Sequence, residues 1–294
     1  MGLIDKAIGA AADATIGARK IVAIEGVPEF AIDFDTLRAK GVYTEAARED
    51  AQAFELRAIK RRLLRRLGFM RRAGRDRRLI GAAGRNRNLI LVTSTRPGEG
   101  KSFAAVNLAM SLALEERIPV FLIDGDPARP RLRSYFGLAE GPGLTDLIRE
   151  PSASLASVAR KASGLSLTLI GEGGPVPDAT GLFGSIEANR VFASLSALCP
   201  DGVIIVDSPP MLATTETLAL ARHADEVVFV VEADSTAQPA VAAALDELLD
   251  LNPNVSLLLN RCLVPAGGSH YAAYEYYEKR YDGDGLDAET RDRG

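Results

Sequence analysis

Lys101 and Ser102 close the stretch Thr95-Arg96-Pro97-Gly98-Glu99-Gly100-Lys101-Ser102, and residues of these types in this order bind phosphate. Gly98 and Gly100 let backbone N–H groups close on a polyphosphate, and the helix expected over Phe103 to Leu114 adds a favourable dipole at its start. Pro97, Gly98, Glu99, Gly100, Lys101, Ser102 and Phe103 are therefore candidate nucleotide-binding residues. Lys101 would reach the β- and γ-phosphates, and Ser102 would offer its hydroxyl to Mg²⁺. The general pattern opens on glycine, where this chain has Thr95.

Two apolar runs further on end in acids. Val120-Phe121-Leu122-Ile123 leads into Asp124-Gly125-Asp126, and Val203-Ile204-Ile205-Val206 leads into Asp207-Ser208-Pro209-Pro210. Either aspartate strand alone would fit a helix cap equally well. Beside a phosphate loop, parallel strands that deliver Asp124, Asp126 and Asp207 at their carboxyl ends make a Mg²⁺-nucleotide site on the ligand edge of an open sheet.

The elements that must position these residues follow from periodicity. Strands are expected at 89–93, 119–123, 166–170, 203–207, 226–231 and 255–259, and helices near 102–115, 143–149, 185–198, 215–222 and 238–251. Strands alternating with helices give an α/β fold, a mostly parallel sheet covered by helices on both faces. The Gly/Pro-rich connection from Gly171 to Gly184 reads as a mobile loop beside the active edge. Three parts are expected: a helical and basic extension over 1–86, a nucleotide-binding domain over 87–264, and a flexible tail over 265–294.

A chain of 294 residues that is 47% apolar has ample material for one large α/β domain. Cys199 and Cys262 are far apart and lack metal-type spacing, which points to a reduced cytoplasmic setting. No run of about 18 apolar residues is present, so no membrane span is expected. Asp5 and Lys6 interrupt the first apolar residues, which argues against a secretory leader.

The formal net charge of −4 is unevenly spread. Lys60 to Arg78 holds ten basic residues against the single acid Asp76, as either a solvated face or a surface for anionic membrane. With only Phe69 interleaved, stacking on nucleic acid is poorly served, and no nucleic-acid partner is expected. Met1 to Ala18 is weakly amphipathic and would pack on the protein itself or meet a partner or membrane. At the other end, Tyr271, Tyr274, Tyr276, Tyr277 and Tyr281 follow the linker Pro265-Ala266-Gly267-Gly268-Ser269. Helical spacing makes them an aromatic stripe on one reading. The surrounding Glu275, Glu278, Lys279 and Asp282 favour phosphate acceptors on a polar tail.

With loop, acids and tail in view, the chain resembles the bacterial tyrosine autokinases, a deviant P-loop ATPase type. It is most similar to their cytoplasmic form, which accompanies exopolysaccharide export and includes a group linked to exosortase systems. The resemblance rests on Pro97 to Ser102, on Asp124-Gly125-Asp126 with Arg129-Pro130, on Asp207-Ser208-Pro209-Pro210 and on the tyrosine cluster.

The resemblance implies ATP and Mg²⁺, with Ser102, Asp124 and Asp207 at the metal. It implies catalysis by Lys101, Asp124, Asp126 and Asp207, with Asp124 taking the tyrosine proton and Asp126 in support. Arg129 would face phosphate charge, and Asn260 would contact adenine or simply end a strand. It further implies a separate transmembrane activator (a polysaccharide co-polymerase), a homo-oligomer, phosphate on the tail tyrosines of a neighbouring subunit, and a place peripheral to the inner membrane. One departure concerns the family's Glu-x-x-Arg-x-x-Arg ring helix: aligned on Arg57, this chain has Phe54 and Lys60 at the flanking places, with Glu55 alongside. Two other readings stand beside the kinase. A positioning or partition ATPase would carry a second lysine where Arg96 stands and would lack the tyrosines; a membrane-bound scaffold would fit the basic stretch.

Overall fold

Six strands whose residues are nearly all apolar lie side by side because both of their faces are covered. They are β4 (Leu89–Ser94), β5 (Val120–Asp124), β7 (Leu167–Ile170), β8 (Val203–Asp207), β9 (Glu226–Glu232) and β10 (Val255–Asn260). The computed structural model describes residues 26–45, 51–72, 75–77, 87–115 and 117–262. The segment 1–18, the linker 265–269 and the tyrosines at 271, 274, 276, 277 and 281 lie outside the described residues.

With β1 (Glu29–Phe30) and β6 (Ala159–Ala162) added at one edge, the order across the sheet is β1-β6-β7-β5-β8-β4-β9-β10. From β7 to β10 every neighbouring pair is parallel. β6 runs antiparallel to β7, and the two-residue β1 pairs parallel with β6. The chain leaves β4 towards β5 on one side and later crosses from β8 to β9 on the other. Loops therefore diverge at the carboxyl end of β4, the place where open α/β sheets bind ligand.

Alternate residues of each central strand enter opposite cores. Leu89, Leu91, Phe121, Ile123, Ile204 and Val206 face a cluster with Leu144, Leu147, Phe192, Leu195 and Leu220. Those come from α5 (Leu144–Arg149), α8 (Ile186–Leu198) and α9 (Glu216–Ala221), and α10 (Gln238–Leu251) joins them through Ala244 and Leu248. Ile90, Val92, Leu122, Ile205, Val228 and Val230 face α3 (Lys101–Glu115) and α2 (Ala51–Arg66). Because α3 is sandwiched between sheet and α2, it is buried along most of its length, from Lys101 to Ala113.

The 26–67 region belongs to the same compact unit as the sheet. Its α1 (Phe34–Ala39) is capped by Asp33, which accepts the N–H groups of Asp35 and Thr36. α2 is held to α3 through Glu115. Arg57 Nε donates to Glu115 Oε1 at 3.0 Å, Lys60 Nζ and the Tyr43 hydroxyl donate to the same carboxylate, and Ser111 Oγ adds a 3.4 Å contact. Lys60 is only 2% exposed. Arg66, at the end of α2, meets the buried Glu226 at 2.8 Å. Lys60 and Arg66 therefore depart from the solvated face or membrane surface read from the basic run, because each is spent on an acid of the same chain, the partly buried Glu115 and the buried Glu226. Arg61, Arg62 and Arg65 are exposed. A short antiparallel pair, β2 (Met70–Arg72) and β3 (Arg75–Arg77), follows.

The 171–184 connection differs from the loose loop its composition suggests. Leu144 N donates to Gly171 O at 2.8 Å and Thr145 N to Glu172 O at 3.0 Å. Asp146 Oδ2 accepts from Gly143 N and Gly174 N. Residues Ala179–Phe183 form α7, capped by Asp178. The short α4 (Leu132–Phe136) and α6 (Leu155–Val158) complete the fold.

Candidate active site

The phosphate loop is a closed turn whose shape depends on two glycines and one inward-facing acid. Gly98 and Gly100 have φ of +93° and +96°, values L-residues with a Cβ rarely adopt. A Cβ on Gly100 would also lie 2.1 Å from Asn260 Nδ2. Glu99 is nearly fully buried: its Oε2 accepts Arg96 N at 2.9 Å and its Oε1 accepts the Thr236 hydroxyl. Asn260, at the end of β10, donates to Glu99 O at 2.8 Å. Glu99 and Asn260 thus brace the loop from behind, while Pro97 and Gly98 are exposed at its mouth. Phe103 is half-buried beside Gly41, where an added Cβ would lie 3.5 Å from its ring.

Strand register brings the acids together. Asp124 and Asp207 are direct neighbours across β5 and β8, and both are fully buried. Asp124 Oδ1 accepts Asp126 N at 3.1 Å; its Oδ2 accepts Arg131 N and Leu132 N, each at 2.9 Å. Asp124 therefore shapes the 125–132 loop and caps the start of α4. Asp126 Oδ1 accepts Arg129 N at 3.0 Å, and its Oδ2 accepts Lys101 Nζ at 3.1 Å. Lys101 Nζ lies 3.7 Å from Asp207 Oδ1 and 3.5 Å from Ser102 Oγ. Arg129 is exposed at the rim.

Burial sets the electrostatics. It pushes Asp124 up to about 7, with the charge of Asp207 adding to the rise and three backbone N–H groups opposing it. It pushes Asp207 up to about 6, with Lys101 pulling it back. Two buried carboxylates side by side resist sharing negative charge.

Among the described residues neither oxygen of Asp207 has a hydrogen-bond partner, Lys101 at 3.7 Å being an ion-pair contact only. A buried acceptor left in that state is costly, unless a ligand completes it. With Ser102 and Asp124 beside it, the donors are hard oxygens of the kind Mg²⁺ takes together with phosphate and water. The residues present therefore fit that ion.

No protein-family model matches the chain. Over 188 residues it is 30% identical to the tyrosine-protein kinase YwqD of Bacillus subtilis, a match covering 64% of this chain and 76% of YwqD. The chain belongs to the bacterial tyrosine-protein kinases. A kinase relative of the same name class, EpsB of Ralstonia nicotianae, is 29% identical over 205 residues, which cover 66% of this chain. The chain spans about a quarter of that relative's length (26%). The kinase domain of VpsO superposes with a TM-score of 0.56 and 28% identity, over 63% of this chain and 90% of that domain.

In this bacterial tyrosine-kinase family member, the structure brings Lys101, Ser102, Asp124, Asp126 and Asp207 into one cluster, with Glu99 and Asn260 behind the loop and Arg129 at the rim. Sequence reasoning missed three polar groups near them. Thr95 Oγ1, Thr214 Oγ1 and Glu216 Oε2 are enclosed and complete no hydrogen bond among the described residues. Glu216 follows Asp207 by nine residues in a Thr-Thr-Glu run that matches no motif, so only three-dimensional placement reveals it. On α2, the helix aligned with the ring pattern, Arg57 and Lys60 both meet Glu115 of their own chain.

Proposed function

We propose that this chain is an ATP-dependent tyrosine kinase that phosphorylates tyrosines of its own C-terminal tail, Tyr271, Tyr274, Tyr276, Tyr277 and Tyr281. The observation that carries this reading is the pairing of a phosphate loop with two register-matched buried acids, one of which, Asp207, has no hydrogen-bond partner among the described residues. Family membership supplies the reaction class. Phosphoryl transfer asks mainly for positioning and charge neutralisation, and these residues are arranged for both.

Lys101, held ready by Asp126 and close to Asp207, turns to the β- and γ-phosphates. The loop N–H groups fix the phosphate chain, with Glu99 and Asn260 keeping the loop rigid. Asp207, Asp124 and Ser102 would hold Mg²⁺, which neutralises phosphate charge when bound. A tyrosine hydroxyl has a pKa near 10, so a carboxylate of the acidic edge must take its proton as the O–P bond forms. Each phosphate adds about 1.5 to 2 negative charges to the tail, and repulsion among modified tails would loosen a homo-oligomer.

The same reading places the chain in the cytoplasm at the inner membrane, working with a separate transmembrane co-polymerase in exopolysaccharide export. No helix among the described residues is long and apolar enough to cross a membrane. Mass spectrometry of phosphatase-treated protein after incubation with Mg-ATP tests the activity. Phosphotyrosine should appear on the tail of the wild type and be absent from Lys101→Ala. A wild type that binds Mg-ATP yet gains no phosphotyrosine would leave the ATPase or scaffold readings.

A further inference from the structure

Asp124 and Asp126 already spend their oxygens on backbone N–H groups and on Lys101. Asp207 has the environment of a metal ligand. One more carboxylate lies at this edge. Glu216 opens α9, four residues before Leu220, and residues four apart share a helix face. Leu220 Cδ1 packs so closely on the acid loop that a Cβ at Gly125 would lie 3.1 Å from it. Glu216 is thereby set towards Asp126, and the charge of Asp126 acts on it.

Three features show that this corner awaits a ligand. Glu216 Oε2 is enclosed and completes no hydrogen bond among the described residues. The Thr214 hydroxyl, two residues before it, is in the same state, and so is that of Thr95, which is 0% exposed at the first position of the phosphate loop. The segments are tied together, with Leu212 N donating to Thr95 O at 3.1 Å and Thr217 Oγ1 to Pro209 O at 2.6 Å. The corner is therefore firmly built, and although the Thr214 hydroxyl lies near enough to act on Glu216, these three polar atoms complete no hydrogen bond among the described residues.

We propose that Glu216 is a further catalytic residue: its carboxylate accepts the hydrogen bond of the incoming tyrosine hydroxyl and then its proton. A lone pair of the phenolic oxygen forms the bond to the γ-phosphorus. The bond from that phosphorus to the bridging oxygen breaks, its electron pair leaves with ADP, and the phenolic proton passes to Glu216. Burial and the Asp126 charge push the Glu216 carboxyl up, against the pull of the Thr214 hydroxyl, which makes it a better proton acceptor than an open glutamate. The inference rests on the tyrosine-kinase reading. Its plain structural rival is a glutamate that only favours the start of α9 through the helix dipole.

Full-length wild type, Glu216→Gln and Glu216→Asp are compared for melting temperature, Mg-ATP affinity and tail phosphorylation at saturating Mg-ATP. Glu216→Gln should keep Mg-ATP affinity within about threefold and lose about 10²-fold in transfer rate, and Glu216→Asp should recover part of that loss. A Glu216→Gln rate within threefold of wild type overturns the proposal, as does loss of Mg-ATP affinity equal to the loss of rate. A lowered melting temperature with an unchanged rate selects the helix-dipole rival. Should Glu216→Gln fail to fold, Thr214→Val reads the same corner, and an unchanged rate there counts against it. If the wild type itself makes no phosphotyrosine, the kinase reading falls and this inference falls with it; a phosphorylating wild type beside an equally active Glu216→Gln defeats the inference alone.

Discussion

Two acids on the same domain, one partly and one fully buried, meet opposite fates. Glu115, at the far end of α3 from the phosphate loop, is surrounded by Tyr43, Arg57, Lys60 and Ser111. Hydrogen bonds from Lys60, Tyr43 and Arg57 outweigh its burial and hold its carboxyl down at about 2, while burial and Glu115 push the Tyr43 hydroxyl up to about 12. Asp207, at the carboxyl end of β8, is fully buried, has no hydrogen-bond partner among the described residues and is pushed by burial up to about 6. An acid supplied with partners by its own chain fastens helices together. An acid left without them is kept for something that arrives from outside. One helix joins both environments, since α3 begins at Lys101 and ends at Glu115.

The sharpest way to break this comparison is at the ligand end of α3. Lys101→Ala removes the cation that would meet phosphate, and it should lower tail phosphorylation by about 10³-fold, the scale of losing one preorganised charge-stabilising group. The melting temperature should stay within a few degrees, because Lys101 contacts acids rather than core. Retained phosphotyrosine in that variant, made in a host without other tyrosine kinases, would remove the loop from the chemistry. Asp124→Asn comes next. It exchanges one acceptor oxygen for an amide that must face the N–H of Asp126 or those of Arg131 and Leu132. We expect about a 10²-fold drop in transfer, the scale of disturbing one preorganised electrostatic group, and a smaller drop in nucleotide affinity; an unchanged rate at saturating Mg-ATP would separate Asp124 from the reaction.

At the fastened end the expected effect is on stability. Glu115→Gln should cost about 2 kcal/mol at pH 7, the scale of breaking a buried pair, discounted for water at the cluster's outer side. That is about 4 to 8 °C in Tm for a chain of this size. The two acids should also give opposite pH slopes. Glu115 is held below its ordinary 4.5, so its contribution is present above pH 4.5 and lost as pH falls towards 2. Asp207 is raised above its ordinary 3.8, so its contribution is present below about 3.8 and lost as pH rises through 6. Denaturant melts of the ligand-free protein from pH 4 to 7 should therefore show Glu115→Gln losing stability relative to wild type as pH rises. Asp207→Asn should gain on wild type over the same interval.

Much of the ligand edge was legible in sequence because it is local. Apolar runs that end in Asp124 and Asp207, and a glycine turn that ends in Lys101-Ser102, each lie within ten residues. The parallel sheet followed from the same periodicity. What escaped was non-local or too short for a pattern. β1 has two residues, β6 reads Ala-Arg-Lys-Ala, and neither alternates recognisably. Lys60 looked like one more surface cation, and only packing of α2 on α3 gives it Glu115. The 171–184 stretch looked loose because glycines and prolines usually mark loops, yet here small residues permit close approach. A Cβ on Gly143 would lie 2.2 Å from Gly171 O. Glu216 carried no motif at all and enters through helix placement against Gly125.

The difference between the two acids is tested most directly by thermal melts of wild type and Asp207→Asn, each with and without saturating Mg-ATP. The wild type should gain several degrees on binding, since ligand at 100 times its Kd stabilises by about 2.7 kcal/mol. Asp207→Asn should melt higher than ligand-free wild type at pH 7, because a buried charge that Lys101 offsets only in part has been removed, and should gain little from Mg-ATP. An Asp207→Asn protein that melts lower than wild type and still shows the full Mg-ATP shift would contradict the account, for Asp207 would then be a structural acid like Glu115.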